Sequence, residues 1–119
     1  MFALRGAISV DQNVAGEILD AGEKLIRTIL EKNQLQPAQV LSAYFTSTPD
    51  LTAAFPATGA RRAGFEIVPM LCAQEIPVPS APVRIIRVML HVDGTPAVPV
   101  HHVYLGEAAR LRPDLAPNP

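Results

Sequence analysis

No proline precedes Pro37, and all twelve prolines of the 119-residue chain lie from there onward. Proline lacks the backbone donor and clashes with the preceding turn of a helix, so this spacing confines a long helix to the N-terminal third. The pattern there fits one. From Val14 to Lys32, the residues Ile18, Ala21, Leu25 and Ile29 recur at three- and four-residue steps beside Val14, Gly22 and Ile26. Glu17, Asp20, Glu23, Lys24, Arg27 and Glu31 take the other face. Asn13 is a candidate N-cap, and Asn33 with Pro37 ends the helix.

The remainder reads as strands and turns. Phe2 to Val10, Leu41 to Thr48, Phe65 to Cys72, Val83 to Val92 and Val100 to Leu105 are short apolar runs bounded by polar, glycine or proline residues, which predicts five strands. Pro37 to Val40 is a single turn, and Leu51 to Ala63 reads as short helical pieces interrupted by Pro56 and Gly59. Segment 77–82 is a stiff extended connection, Gly94 to Pro99 a turn, and Ala108 to Leu111 a short strand or turn. Residues 1–115 are expected to form the domain and 116–119 a C-terminal tail. The expected class is α+β: a single domain with a mixed five-stranded sheet packed on one long helix. One helix covers one face of such a sheet, yet Ile85 to Leu90 is apolar on both. A second copy of the chain is the economical cover, so a homo-oligomer with ligand sites between subunits is predicted.

Composition narrows the function classes. Ten basic against eleven acidic residues leave a net charge of −1, so no global basic field attracts nucleic acid or an anionic membrane. Cys72 is the single cysteine, which excludes an intramolecular disulfide and a structural zinc cluster and suits a reducing, cytoplasmic location. No apolar run reaches the length of about 18 residues that a membrane span needs, and Arg5 breaks the apolar N-terminus, so no export or anchoring segment is read. Phosphate loop, dinucleotide fingerprint, zinc spacing and Ser/His/Asp order are all missing, so no cofactor and no metal are expected. The basic residues are eight arginines and two lysines. Guanidinium is the better group for a two-pronged grip on carboxylate or phosphate, which points to a small anionic ligand.

Arg87 is the most informative position. It stands in Ile85-Ile86-Arg87-Val88-Met89-Leu90, and strand alternation places it on the face of Ile85 and Met89. A guanidinium there needs an acidic partner. The partner is either internal, with Glu75 the candidate, or an anionic ligand in a cleft, and Arg5 poses the same choice in the first strand. Glu75 is a solvated loop carboxylate or a pocket residue at a strand end. Cys72 reads as a small core hydrophobe, Tyr104 as core or a donor to a ligand carboxylate, and Phe55 as packing. Arg61 and Arg62 read as a solvated basic spot that could also steer an anion. His101 and His102 cannot point to one face of a strand and do not form a metal pair.

The chain resembles the monofunctional chorismate mutases of the Bacillus type, the small trimeric class unrelated in fold to the all-helical chorismate mutases. The pattern covers almost the whole chain: Arg5-Gly6-Ala7, Thr48-Pro49-Asp50-Leu51 leading to Ala54-Phe55-Pro56-Ala57, and Val68-Pro69 followed by Cys72-Ala73-Gln74-Glu75. It continues through Ile86-Arg87-Val88-Met89 and His102-Val103-Tyr104-Leu105 to Leu111-Arg112-Pro113-Asp114-Leu115. Each piece alone is weak; their order and spacing are specific.

The resemblance implies a homotrimer with a barrel-like core and active sites at subunit interfaces, converting chorismate to prephenate by a concerted shift that breaks a C–O ether bond and makes a C–C bond. It implies that Arg87 lies against the ether oxygen and a carboxylate, that Arg5 and Tyr104 grip carboxylate, and that Glu75 accepts from the ring hydroxyl with Cys72 nearby. Phe55 and Leu111 would form an apolar wall, Arg61 and Arg112 would close or steer the entrance, and Ala57 and Thr58 would border the substrate. Family members often carry Lys where Thr58 stands and Thr where Leu71 stands, and a glycine-containing connection in place of 77–82. The alternative function is a non-catalytic trimer that binds small carboxylates or acts as a regulator. A structural assembly protein, with Arg5, Arg87 and Glu75 in internal ion pairs, is the third reading.

Overall fold

The computed structural model describes residues 1–114; the expected tail 116–119 lies outside the described residues. The chain runs β1 (Phe2–Ser9), α1 (Ala15–Lys32), a 3-10 turn (Pro37–Gln39), β2 (Val40–Ser47), α2 (Pro56–Arg62), β3 (Met70–Gln74), β4 (Ile85–Val92), β5 (Val103–Leu105) and a second 3-10 turn (Gly106–Arg110). The strands form one mixed sheet in the order β3-β2-β4-β1-β5. β4 is antiparallel to both β1 and β2, while β3 and β5 add in parallel at the two edges. No helix among the described residues is long and apolar enough to cross a membrane.

α1 lies where the apolar spacing puts it, burying Ile18, Ala21, Gly22, Leu25, Ile26, Ile29 and Leu30. These side chains pack on Leu4, Phe45, Ile86, Val88 and Leu90, which form one continuous core with them. Each leucine or isoleucine among them contributes about 1.5–3 kcal/mol when fully buried. Gly6 in β1 passes directly beneath the helix: a Cβ there would stand 2.9 Å from Ile29 and 3.1 Å from Leu25.

The sheet is covered by two helices, not by one long helix alone. Pro56 does not interrupt a helix but begins one, where its missing donor costs nothing and its fixed φ suits the first turn. Gly59 lies inside α2 because α2 crosses α1 at that point: a Cβ on Gly59 would meet the Leu19 carbonyl oxygen at 2.1 Å, and one on Gly22 would meet that of Pro56 at 2.4 Å. The two glycines are a contact between backbones, which one chain pattern read alone cannot distinguish from a helix break.

Three other local expectations change. Val14, not Asn13, is the N-cap of α1. The Asn13 side chain instead clamps the 52–53 segment, its Oδ1 accepting from the Thr52 and Ala53 amides at 3.0 Å each and its Nδ2 donating to Thr52 Oγ1 at 2.9 Å. Asn33 does end α1, but its φ is −105°, and the left-handed residue is Gln34 at +52°. Buried Asn33 ties α1 to the approach of β5, donating to the Ile29 and His101 carbonyls at 2.8 and 2.9 Å and accepting from the His101 amide at 2.8 Å. β3 starts only at Met70, since Phe65 is buried as a loop residue under α2 and cannot also pair with β2.

Thr48-Pro49-Asp50-Leu51 is a turn that locks β2 to the start of β4. Thr48 is buried, and its Oγ1 accepts from the Ile85 amide at 3.1 Å while its amide donates to the Ile85 carbonyl at 3.0 Å. Asp50 accepts from the Arg84 amide at 3.0 Å, holding Arg84 at a φ of +55°, which a non-glycine residue adopts only when its neighbours enforce it.

Candidate active site

Register decides which side chains meet. Paired residues on neighbouring strands point to the same face. Arg87 stands between Ala7 of β1 and Thr46 of β2, and Met89 between Arg5 and Tyr44. These residues occupy the face away from the helices, while Leu4, Phe45, Val88 and Leu90 fill the covered one. Tyr104 joins them through its pairing with Ala7. Arg5, Tyr44, Thr46, Arg87, Met89, Tyr104 and Arg112 line a cavity of about 460 Å3 that opens on this face.

Arg87 and Glu75 are paired. Arg87 Nε lies 3.1 Å from Glu75 Oε2, and Thr46 Oγ1 donates to that same oxygen at 2.7 Å. Glu75 is fixed from behind, its amide donating to the Ser47 carbonyl at 2.9 Å, one step beyond the last β2–β3 pair of Ser47 and Gln74. The Arg87 side chain is 44% exposed and that of Glu75 18%. A pair so open to solvent contributes little to stability, so its consequence is geometric: the guanidinium is turned by its Nε, and its two Nη groups enter no ion pair among the described residues. Of the two partners expected for Arg87, the internal acid is present and is Glu75.

A second and a third cation border the cavity. Half-buried Arg5 makes no ion pair among the described residues, and its amide donates to His102 Nδ1 at 3.2 Å. Arg112 grips Asp114 with two bonds, Nε to Oδ1 at 3.1 Å and Nη2 to Oδ2 at 2.9 Å, which lowers the Asp114 carboxyl and raises the Arg112 guanidinium from their ordinary values. Burial, then the charge of Arg5, then that of Arg112 push the His102 imidazole below its usual value. The neutral ring is the form that accepts from the Arg5 amide. Tyr104 is buried against Ala7, Ile85 and Ala108, with Leu111 packed on the same cluster.

The other expected residues stand apart within one chain. Phe55, 69% exposed, and Cys72 border a second concavity of about 470 Å3 between the 47–56 segment and β3. Cys72 pairs with Phe45 and packs on the main core, so it faces the helix side, opposite Arg87. Ala57 is half-buried on that core, Thr58 is exposed in the first turn of α2, and Arg61 is exposed in its last turn, outside the residues lining either cavity. Arg62 meets Asp20 at 3.2 Å instead. Tyr44, Thr46 and Met89 also line the cavity, and His102 stands beside it through the Arg5 amide; none of the four is among the site residues expected from sequence. Alternation within β2 groups Tyr44 with Thr46, but only the pairing of β2 with β4 sets them beside Arg87. Among the described residues, no group of three or more His, Cys, Asp and Glu side chains is arranged to hold a metal ion.

Comparison with known proteins decides the family. The family profile described as chorismate mutase type I matches residues 1–115. The chain belongs to the chorismate mutase type I family. It is 48% identical to chorismate mutase AroH of Thermus thermophilus over 114 residues, spanning 94% of this chain and 93% of that one. It is 38% identical to chorismate mutase AroH of Bacillus subtilis over 115 residues, spanning 95% and 91%. The fold superposes on a chorismate mutase from Clostridium thermocellum with a TM-score of 0.88 at 40% identity, covering 92% of this chain and 99% of that one. For a chorismate mutase type I chain, the cavity that gathers Arg5, Arg87, Tyr104 and Arg112 is the natural candidate site.

Proposed function

We infer that the chain is a chorismate mutase, an isomerase that converts chorismate to prephenate, and that Arg5, Arg87 and Tyr104 with Glu75 form the catalytic half of its site. The observation that carries this reading is the convergence of three arginines and two tyrosines on one cavity, in a chain of this family. Chorismate is a dicarboxylate. Its rearrangement breaks the ether C–O bond as a C–C bond forms, every atom stays in the molecule, and neither a nucleophile nor a proton acceptor is needed. Positioning of the folded conformer and charge complementarity are the remaining levers. The free Nη edge of Arg87 donates to the ether oxygen, where negative charge grows as the bond opens. One such donor supplies about 3–4 kcal/mol, roughly a hundred- to thousandfold in rate. Arg5 and Tyr104 hold carboxylate, Glu75 accepts from the ring hydroxyl, and Arg112 borders the entrance.

The rest of the site comes from a neighbouring copy in this reading. Phe55 and Cys72 border a concavity of their own, with Ala57, Thr58 and Arg61 beside it on α2, and none of them reaches the Arg87 cavity in the same chain. The sheet face around that cavity exposes Tyr44, Met89 and Leu71. A homotrimer with a barrel-like core covers this apolar face and brings the wall of one copy to the arginines of the next, the apolar contact being the driving force. Residues 1–115 are the catalytic domain, and the half-exposed free thiol of Cys72 suits the reducing cytoplasm.

The test is loss of chorismate absorbance with wild-type protein and Arg87→Ala side by side, with the mass of the assembly measured for both. Activity that collapses in an intact mutant assembly is the expected result. Tight chorismate binding without turnover in the wild type would overturn the enzyme reading in favour of a carboxylate-binding protein.

A further inference from the structure

We infer that Thr46 is a positioning residue for the reaction, acting through Glu75 to set the orientation of the Arg87 guanidinium. The inference rests on the reading of this cavity as the chorismate site and deepens it.

Three groups meet at one oxygen. Glu75 Oε2 takes the Thr46 hydroxyl at 2.7 Å and faces Arg87 Nε at 3.1 Å. A carboxylate bonded by a neutral donor on one side and a cation on the other has that oxygen occupied, so Oε1 is the atom left for a substrate hydroxyl. The same contact turns Arg87 by its Nε and leaves the Nη edge for the substrate. Glu75 needs such a restraint. It follows the last residue of β3, at the start of a connection whose Ile76, Val78 and Val83 are exposed, and its main-chain tie is a single amide bond to Ser47. Thr46 is on rigid support by contrast, in β2 and paired on both sides, with Arg87 of β4 and Ala73 of β3. Valine has the same branched shape and a comparable preference for strands. The methyl-for-hydroxyl exchange Thr46→Val therefore removes the donor without disturbing the strand.

A hydrogen bond to a charged group is worth roughly ten- to a hundredfold. Thr46→Val is expected to lower kcat by about tenfold with a smaller change in KM, because the lost restraint matters most where charge develops at Arg87. Thr46→Ser keeps the hydroxyl and is expected to retain near wild-type kcat. In the Glu75→Ala background the Thr46→Val exchange is expected to change kcat by less than about twofold, since two residues acting through one contact do not add. Thermal melts and assembly mass accompany each variant. The inference is overturned if intact Thr46→Val protein keeps wild-type kcat, if Thr46→Ser is as impaired as Thr46→Val, or if the loss from Thr46→Val is undiminished without Glu75. Wild-type activity in Glu75→Ala itself would instead overturn the reading of the site, and this inference with it.

Discussion

The two faces of the sheet are made by the same strands and meet opposite fates. In β4, Ile86, Val88 and Leu90 are sealed under α1 and α2, while Arg87 and Met89, each one residue away, open onto the cavity. The covered face is closed over most of its area by the chain's own helices, and its buried residues Leu4, Phe45, Ile86, Val88 and Leu90 are apolar. The open face mixes Tyr44, Met89 and Leu71 with Arg5, Thr46 and Arg87, too apolar for free solvent and too charged for a core. Most of the buried core therefore lies on one side of the sheet and the arginine-lined cavity on the other, with a smaller buried cluster of Ala7, Ile85, Tyr104 and Ala108 beside that cavity. A residue's face, more than its type or its distance along the chain, tells which property its loss will change.

Substitutions that straddle the sheet test that division. On the open side, Arg87→Ala is expected to lower kcat/KM by about a hundred- to thousandfold, roughly 3–4 kcal/mol. It should shift the melting transition little, because the Glu75 pair it breaks is partly solvated. Arg87→Lys should be nearly as inactive, since a point charge on a flexible stem cannot replace the planar edge. On the covered side, Leu90→Ala removes a fully buried side chain and should cost about 3 kcal/mol of unfolding free energy in denaturant titration. Its effect on kcat in the remaining folded protein should stay within about twofold, as for distant independent sites. A large kcat loss from Leu90→Ala, or a large stability loss from Arg87→Ala, would break the division.

Smaller effects sharpen it. Asn33→Ala removes a buried side chain that bonds the Ile29 carbonyl and both the amide and the carbonyl of exposed His101, and should cost about 1–3 kcal/mol by the same titration. His102 lies where the two properties touch, because its ring accepts from the Arg5 amide. The unfolded chain binds a proton at this histidine near pH 6.5, whereas the folded one resists until lower pH. Its contribution to stability is accordingly full above about pH 6.5 and is lost as the pH falls below that value. Melting temperature measured across pH 5–8 should fall on the acid side, and His102→Asn, which keeps an acceptor but does not titrate, should flatten that slope. Least of all, Glu23→Ala breaks an exposed pair with Arg27 on the outer face of α1 and should change stability by no more than about 0.5 kcal/mol.

Much of this arrangement was legible in the residues. The apolar spacing of Ile18, Leu25 and Ile29 and the absence of proline before Pro37 placed α1 to within a residue, because a helical face depends on local steps alone. The alternation around Arg87 sets it on the face of Ile85 and Met89, and Glu75, the candidate for its internal partner, is the acid found there. The family pattern supplied Arg5, Tyr104 and Arg112 as its companions. Gly59 was misread as a break, and Asn13 as a cap, because each is used in a contact with a distant segment that spacing does not encode.

A period of 3.6 or of 2 is a property of adjacent residues, so the long helix, the strands and the inward or outward sense of each side chain follow from order in the chain. Which strands lie side by side does not. Thr46, Glu75, Arg87 and Tyr104 come from four different segments, and only the order β3-β2-β4-β1-β5 sets Thr46, Arg87 and Tyr104 around one cavity with Glu75 against Arg87 and Thr46. Non-local pairing is selected by the burial of the whole core under α1 and α2 at once, a collective free energy that no stretch of the sequence carries by itself.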